Sequence, residues 1–161
     1  MNRICIGAAM VAIAALAASA AAQPLPGFDV NITLSARAAQ RLQSAHEGIT
    51  VWASYYGHPN KAGQHHADEV GQVDLGHAEV RVPGRPGMAR ISATKLPTDR
   101  LKWIEGGAKV NVNVYTSRLS GDDNLLNCDF IDGDLAVVVA AQPITLHCGL
   151  IGEHFETHSK P

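Results

Sequence analysis

"KVNVNVYTS", residues 109–117, alternates without a break: Val110, Val112 and Val114 are separated by Asn111 and Asn113. In an extended chain successive side chains point to opposite faces, so the valines share one face and the asparagines the other. Three β-branched residues backed by polar amides read as a strand with one buried face and one wet face, the antiparallel kind.

The same period of two recurs on the N-terminal side. Phe28, Val30, Ile32 and Leu34 alternate with Asp29, Asn31 and Thr33. Ile49, Val51, Ala53 and Tyr55 alternate with Thr50, Trp52, Ser54 and Tyr56. Turn residues punctuate these runs in "GHPN", "VPGRPG", "IEGG", "SGDDN" and "DGD". Short alternating strands spaced by such turns predict an all-β, mainly antiparallel domain: a small β-sandwich. The layout resembles that of small immunoglobulin-like or transthyretin-like sandwiches of the bacterial periplasm. The resemblance is one of layout, with no functional motif behind it, so it implies a fold and transfers no function.

One helix is expected within the strands. Ser35 can cap a segment from Ala36 to His46, with Gly48 just beyond its end and Ala38, Leu42 and Ala45 as a thin apolar face. A further helical turn is expected in "PTDRLKWIEGG", capped by Thr98 and anchored by Leu101 and Ile104.

The N-terminus has a different character. Residues 1–22 carry Arg3, then an apolar, alanine-rich run, and end in "ASAAA" with small residues before a cleavage point after Ala22. That is the order of a secretory signal peptide, and the run is shorter than the ~20 residues a spanning helix needs. Cys5 is expected to leave with it. Removal leaves residues 23–152 as a single domain and 153–161, "EHFETHSKP", as a flexible tail. The expected location is the periplasm or the exterior, with no membrane span after cleavage.

Two cysteines then remain, Cys128 and Cys148. In "LLNCDFID", Leu126, Cys128 and Phe130 share a strand face, and in "PITLHCGLIG", Ile144, Leu146, Cys148 and Leu150 do. Both thiols point to the apolar side, and an exported chain meets oxidising conditions. The wide spacing is not the C-x-x-C of a redox or zinc pair. A structural disulfide between neighbouring or facing strands is predicted.

Charge narrows the function classes. Without Arg3, 12 basic residues face 15 acidic ones, and the aromatics are not interleaved with Arg or Lys. Nucleic-acid binding is not expected. The chain has no G-x-S-x-G elbow, P-loop or dinucleotide fingerprint. "HFETH" spaces His154 and His158 four apart but puts Phe155 where the H-E-x-x-H glutamate belongs. The acidic turns with Asp122 and Asp123, and with Asp129, Asp132 and Asp134, do not have EF-hand spacing.

The one chemically suggestive stretch is "HPNKAGQHHADEVGQVDLGH", residues 58–77, with four of the eight histidines. His58, one or other of His65 and His66, and Asp68 form a candidate loop site for zinc or copper. Adjacent His65 and His66 point apart on an extended chain, and His77 lies beyond a strand expected to start near Val70. The spacing fits no standard zinc pattern, and the Pro, Asn, Gly and Lys content is that of a solvated hairpin loop, which is the preferred reading. Trp52 and Tyr56, on the face opposite Ile49, Val51, Ala53 and Tyr55, form a candidate interaction surface.

Three functions follow in order of preference. The first is an exported, non-enzymatic binding or accessory module for an unknown envelope protein, extracellular protein or small ligand. The second is a transition-metal-binding protein using the 58–77 histidines. The third is a hydrolase whose site is assembled in space.

Overall fold

In the computed structural model, which describes residues 24–161, the valine face of "KVNVNV" lies at the centre of the interior: Val110, Val112 and Val114 are all buried. The expected signal peptide, residues 1–22, lies outside the described residues. The chain runs β1 Phe28–Leu34, α1 Ala36–Ser44, β2 Gly48–Pro59, β3 Val73–Pro83, β4 Gly87–Ile91 and β5 Ile104–Thr116. It continues with β6 Leu126–Cys128, β7 Phe130–Asp134, α2 Leu135–Ala141, β8 Ile144–Leu150 and β9 Ser159–Lys160.

These strands form two sheets in a sandwich-like arrangement, one ordered β4-β1-β8-β6 and the other β3-β2-β5-β7-β9. The expected antiparallel pairing holds at most interfaces, but β1 pairs with β8 in parallel, and β7 with β9. Both sheets are therefore mixed. Phe28, Val30 and Ile32 of β1 and Ile144, Leu146 and Cys148 of β8 belong to the same core cluster as Ile49, Val51, Ala53 and Tyr55 of β2. Alternate residues of each strand thus supply a common apolar interior, at roughly 25 cal/mol for each Å² removed from water.

Ser35 caps α1 as expected, its hydroxyl accepting from the Ala38 N–H at 3.0 Å. The helix stops at Ser44, two residues short of the predicted end, and Gly48 begins β2 instead of following a helix stop. His46 takes the left-handed position (φ 52°), the His46 N–H bonds Gln43 O and the Glu47 N–H bonds Leu42 O. That is a Schellman closure with histidine where glycine is usual.

A second helix, α2, has no counterpart among the elements expected from sequence. "LAVVVAA" is rich in β-branched residues, yet Leu135 and Val138, three apart, are the pair it buries. Tertiary packing of that pair overrides the strand preference of three consecutive valines. The turn expected at "PTDRLKW" is a 3₁₀ segment, Thr98–Trp103, preceded by Pro97 as cap, with no side-chain cap from Thr98.

"LNCDFID" is not one strand. The chain leaves the four-stranded sheet at Cys128 and enters the five-stranded one at Phe130, so Asp129 is the crossing point. Ile131, not Phe130, is the buried residue of β7. The disulfide forms between neighbouring strands: Cys128 stands directly opposite Cys148 in the β6–β8 pair.

Residues 153–161, expected as a flexible tail, lie along the domain instead. Ser159 and Lys160 pair with Phe130 and Ile131, and the Glu153 carboxylate accepts from the Ser35 hydroxyl and the Leu150 N–H, both at 2.6 Å. A buried carboxylate, Asp129, holds this end in place by accepting from the His147 N–H at 3.2 Å and the His158 N–H at 2.8 Å, with Lys160 Nζ at 3.2 Å.

Among the described residues, one buried side-chain polar atom has no protein partner: the hydroxyl of Tyr55, a residue only 1% exposed. Burial alone pushes this phenol up, out of any physiological titration range. A buried donor without an acceptor costs about 1–3 kcal/mol. Tyr55→Phe should therefore leave stability unchanged or raise it by about 1 kcal/mol. Urea denaturation checks this, and a loss of that size would show that the hydroxyl has a partner.

Candidate functional site

The outward face of the five-stranded sheet is fixed by register. Across β3, β2 and β5, Glu79, Trp52 and Asn113 stand in one row, and His77, Ser54 and Asn111 in the next. Asn111 is opposite Asp132 on β7, and Lys109 is opposite Asp134. A bulge between Tyr55 and Tyr56 then shifts the partner, so Tyr56 faces Asp74 on β3 and Lys109 on β5. The two residues expected from sequence to form an interaction surface, Trp52 and Tyr56, lie on this face, both half-buried.

Local bonds orient these groups. The Trp52 indole N–H donates to Ser54 Oγ at 2.8 Å, which lays the ring along the strand, and His77 stacks on it at 4.0 Å between centroids. Asn113 Nδ2 donates to Asn111 Oδ1 at 2.6 Å. The Tyr56 hydroxyl donates to Asp132 at 2.7 Å, and Lys109 pairs with Asp134 at 2.6 Å. Burial first, then the Asp132 carboxylate it bonds and the charges of Asp132 and Asp134, push the Tyr56 phenol up to about 12. It is a neutral donor near neutral pH.

At the Tyr56 end of this face a cavity of about 330 Å³ opens. Ser54, Tyr56, Asn111 and Asp132 line it from the sheet, and Asp68 and Gln72 from the loop between β2 and β3. Asp74, also in its wall, is held by Arg100 at 2.7 Å and by the Gly76 N–H at 2.9 Å. Hydroxyl, phenol, amide and carboxylate groups thus converge on one opening. Such a set can hold a polar ligand by hydrogen bonds in several directions, with ring faces beside it for C–H surface.

The loop carrying the candidate metal ligands is fastened elsewhere. Asn60 ties it to residues 102–104: its side-chain N–H donates to Lys102 O and Ile104 O at 2.8 and 3.2 Å, and its Oδ1 accepts from the Ala62 and Gly63 N–H groups. Gly63 is required here, since a Cβ would overlap the Trp103 carbonyl oxygen. His66 stacks on Trp103 at 3.5 Å between centroids, with His65 tilted against it at 4.0 Å. Desolvation, then electrostatic repulsion from His65, Lys102 and Arg100, pulls the His66 imidazole below its usual value.

Asp68 uses Oδ1 within its own turn, accepting from the Val70 and Gln72 N–H groups at 3.0 and 2.9 Å. Val70 is exposed and β3 begins only at Val73. His58 is exposed near the end of β2, opposite Glu105, and His77 belongs to the sheet face. The structure therefore separates these residues into a strand end, an aromatic stack, an acidic turn and a sheet face. Among the described residues no group of three or more His, Cys, Asp or Glu side chains gathers where one ion would sit.

Other polar groups singled out by their sequence pattern are also dispersed. Asp129 lies buried at the sheet crossing, while Asp132 and Asp134 bond Tyr56 and Lys109 on the outer face. A hydroxyl–imidazole pair does occur on the other sheet, Thr33 Oγ1 with His147 Nδ1 at 3.0 Å. The nearby Ser35 hydroxyl is already used twice, donating to Glu153 and capping α1. Among the described residues no helix is long and apolar enough to cross a membrane.

The period of two puts Trp52, Ser54 and Tyr56 on one face but does not reveal Asn111 and Asp132 as their companions. The alternation of Val and Asn around residues 110–114 is the available signal, and only the strand register joins it to β2 and β7. The chain matches no protein-family model, no curated protein and no solved structure.

Proposed function

We propose that the chain is an exported, non-enzymatic binding module of the periplasm or exterior, with an immunoglobulin-like or transthyretin-like sandwich as its scaffold. Its working surface is the outer face of the five-stranded sheet, and the cavity beside Tyr56 receives the ligand. The observation that carries this reading is the convergence there of Ser54, Tyr56, Asn111 and Asp132, from three neighbouring strands, beside the Trp52–His77 stack. Rigid strands hold such groups with little freedom to lose on binding, which favours affinity.

The ligand class that suits this set is small, polar and rich in hydroxyl groups. Planar amides and carboxylates pair with neighbouring hydroxyls, and aromatic rings pack against C–H faces. The test is a titration of the folded protein with a panel of oligosaccharides and small polyols, followed by amide and side-chain NMR shifts. The expected shifts cluster at Trp52, Ser54, Tyr56 and Asn111. Trp52→Ala and Tyr56→Ala should each weaken binding by about tenfold or more, the usual cost of truncating a binding aromatic. Shifts confined to the opposite sheet, or affinity untouched by both substitutions, would overturn the assignment.

A further inference from the structure

We propose that residues 154–161 are an exchangeable strap, and that the β7 edge beneath them accepts the same segment from a second copy of this chain. The strap has a fixed root and a separate clasp. At the root, Glu153 is anchored by the Ser35 hydroxyl and the Leu150 N–H. Immediately after it, His154 adopts a left-handed backbone (φ 53°) that turns the chain back over its own domain. Left-handed backbone is costly for any residue but glycine, so this turn is a natural hinge.

The clasp is polar and centred on one carboxylate. Asp129 accepts from the His158 N–H at 2.8 Å and faces Lys160 Nζ at 3.2 Å, with His158 Nδ1 at 3.5 Å. The Phe130 N–H donates to His158 O at 3.1 Å, and the ladder consists of Phe130–Ser159 and Ile131–Lys160. Between root and clasp, Phe155 meets the edge of His147 at 4.9 Å between centroids, and its carbonyl accepts from Asn127 Nδ2 at 3.0 Å. With so short a ladder, little backbone pairing opposes departure.

What the strap covers is a strand edge. β9 stands last in the order β3-β2-β5-β7-β9, so its removal turns β7 into the edge and exposes its backbone donors and acceptors. The occupant is specified by the structure itself: the segment seated there is this chain's own, and an identical segment from a second copy makes the same bonds. Reciprocal exchange then gives a two-fold dimer with the clasp contacts unchanged, and the balance is set by the hinge. Residues 154–158 span at most ~17 Å when extended, so the two β7 edges would lie side by side.

The test shortens the hinge in the otherwise full chain by deleting Glu156 and Thr157, so the strap no longer reaches its own β7 edge. Sedimentation equilibrium should show a dimer whose dissociation constant is at least roughly tenfold below that of the parent. Hydrogen exchange should show the Phe130 and His158 amides still protected. Adding Asp129→Asn should return the deletion variant to monomer by removing the clasp. A folded deletion variant that stays monomeric, with those amides exchanging freely, overturns the proposal. If the deletion prevents folding, His154→Pro, which forbids the left-handed turn, takes its place: a protected dimer supports exchange, and a monomer with freely exchanging amides overturns it.

Discussion

Glu47→Ala should destabilise the domain by about 3 kcal/mol, a loss expected when a buried, multiply bonded carboxylate is removed. Glu47 sits at the junction of α1 and β2, only 5% exposed. Its oxygens accept from the Gly48 and Leu119 N–H groups at 2.9 and 3.0 Å, and from the Ser120 N–H and hydroxyl at 2.8 and 2.6 Å. One side chain thus fastens the turn after β5 to the start of β2. Alanine leaves three backbone donors without their acceptor.

The same carboxylate predicts a pH dependence. Burial on its own would push Glu47 up, but the bonds from the Ser120 hydroxyl and the Leu119, Ser120 and Gly48 N–H groups outweigh it and hold the group at about 2. The folded value lies below the unfolded 4.5, so the unfolded state binds the extra proton as acid is added. The stabilisation is complete above pH 4.5 and is lost as pH falls towards 2. Urea unfolding across this range should show a steep acid limb in the parent and a flatter one in Glu47→Ala. Identical acid limbs, or a cost below about 1 kcal/mol at neutral pH, would show that the turn is held by other means.

The second large effect is expected at the disulfide. Cys128 and Cys148 stand 20 positions apart in sequence, and by chain entropy closing a loop of that size contributes about 3 kcal/mol. The double substitution Cys128→Ser and Cys148→Ser should lower stability by that amount, read by thermal or urea unfolding against the oxidised parent. The parent under reducing agent should fall to a similar value. The loop it closes contains the sheet crossing, β7 and α2, so the loss is expected to include α2 and the β7–β9 pair. A reduced protein as stable as the oxidised one would mean that the unfolded loop is already constrained.

What the sequence made legible is what a period of two can carry. The inward sets of β1, β2 and β5 are the alternating residues themselves, and Ser35 and the two cysteines announce their roles through residue type and position. The rest depends on partners far along the chain. "LNCDFID" keeps its alternation across Asp129 while the chain changes sheets, and nothing local distinguishes that aspartate from a turn residue. "LAVVVAA" has strand composition and becomes helix because Leu135 and Val138 find the core. The docking of the C-terminal segment is not legible because its anchors, Asp129 and Ser35, are distant in sequence. For the candidate site, local pattern identifies Trp52 and Tyr56, whereas the row linking Ser54, Asn111 and Asp132 is a property of register, which single-strand patterns do not encode.

The parallel pairing of β1 with β8 has a consequence for the order of assembly. Asn31 and Thr145 bond across 114 positions of sequence, whereas β4, on the other side of β1, lies far closer along the chain. During synthesis β1 emerges 114 positions ahead of its β8 partners and waits for all of that chain before both of its edges are paired. A topology with closure this distant folds slowly, because the loop entropy is lost before the contact repays it. Any chain cut short before Ile144 leaves β1 half-paired, with its second edge open to strands of neighbouring molecules.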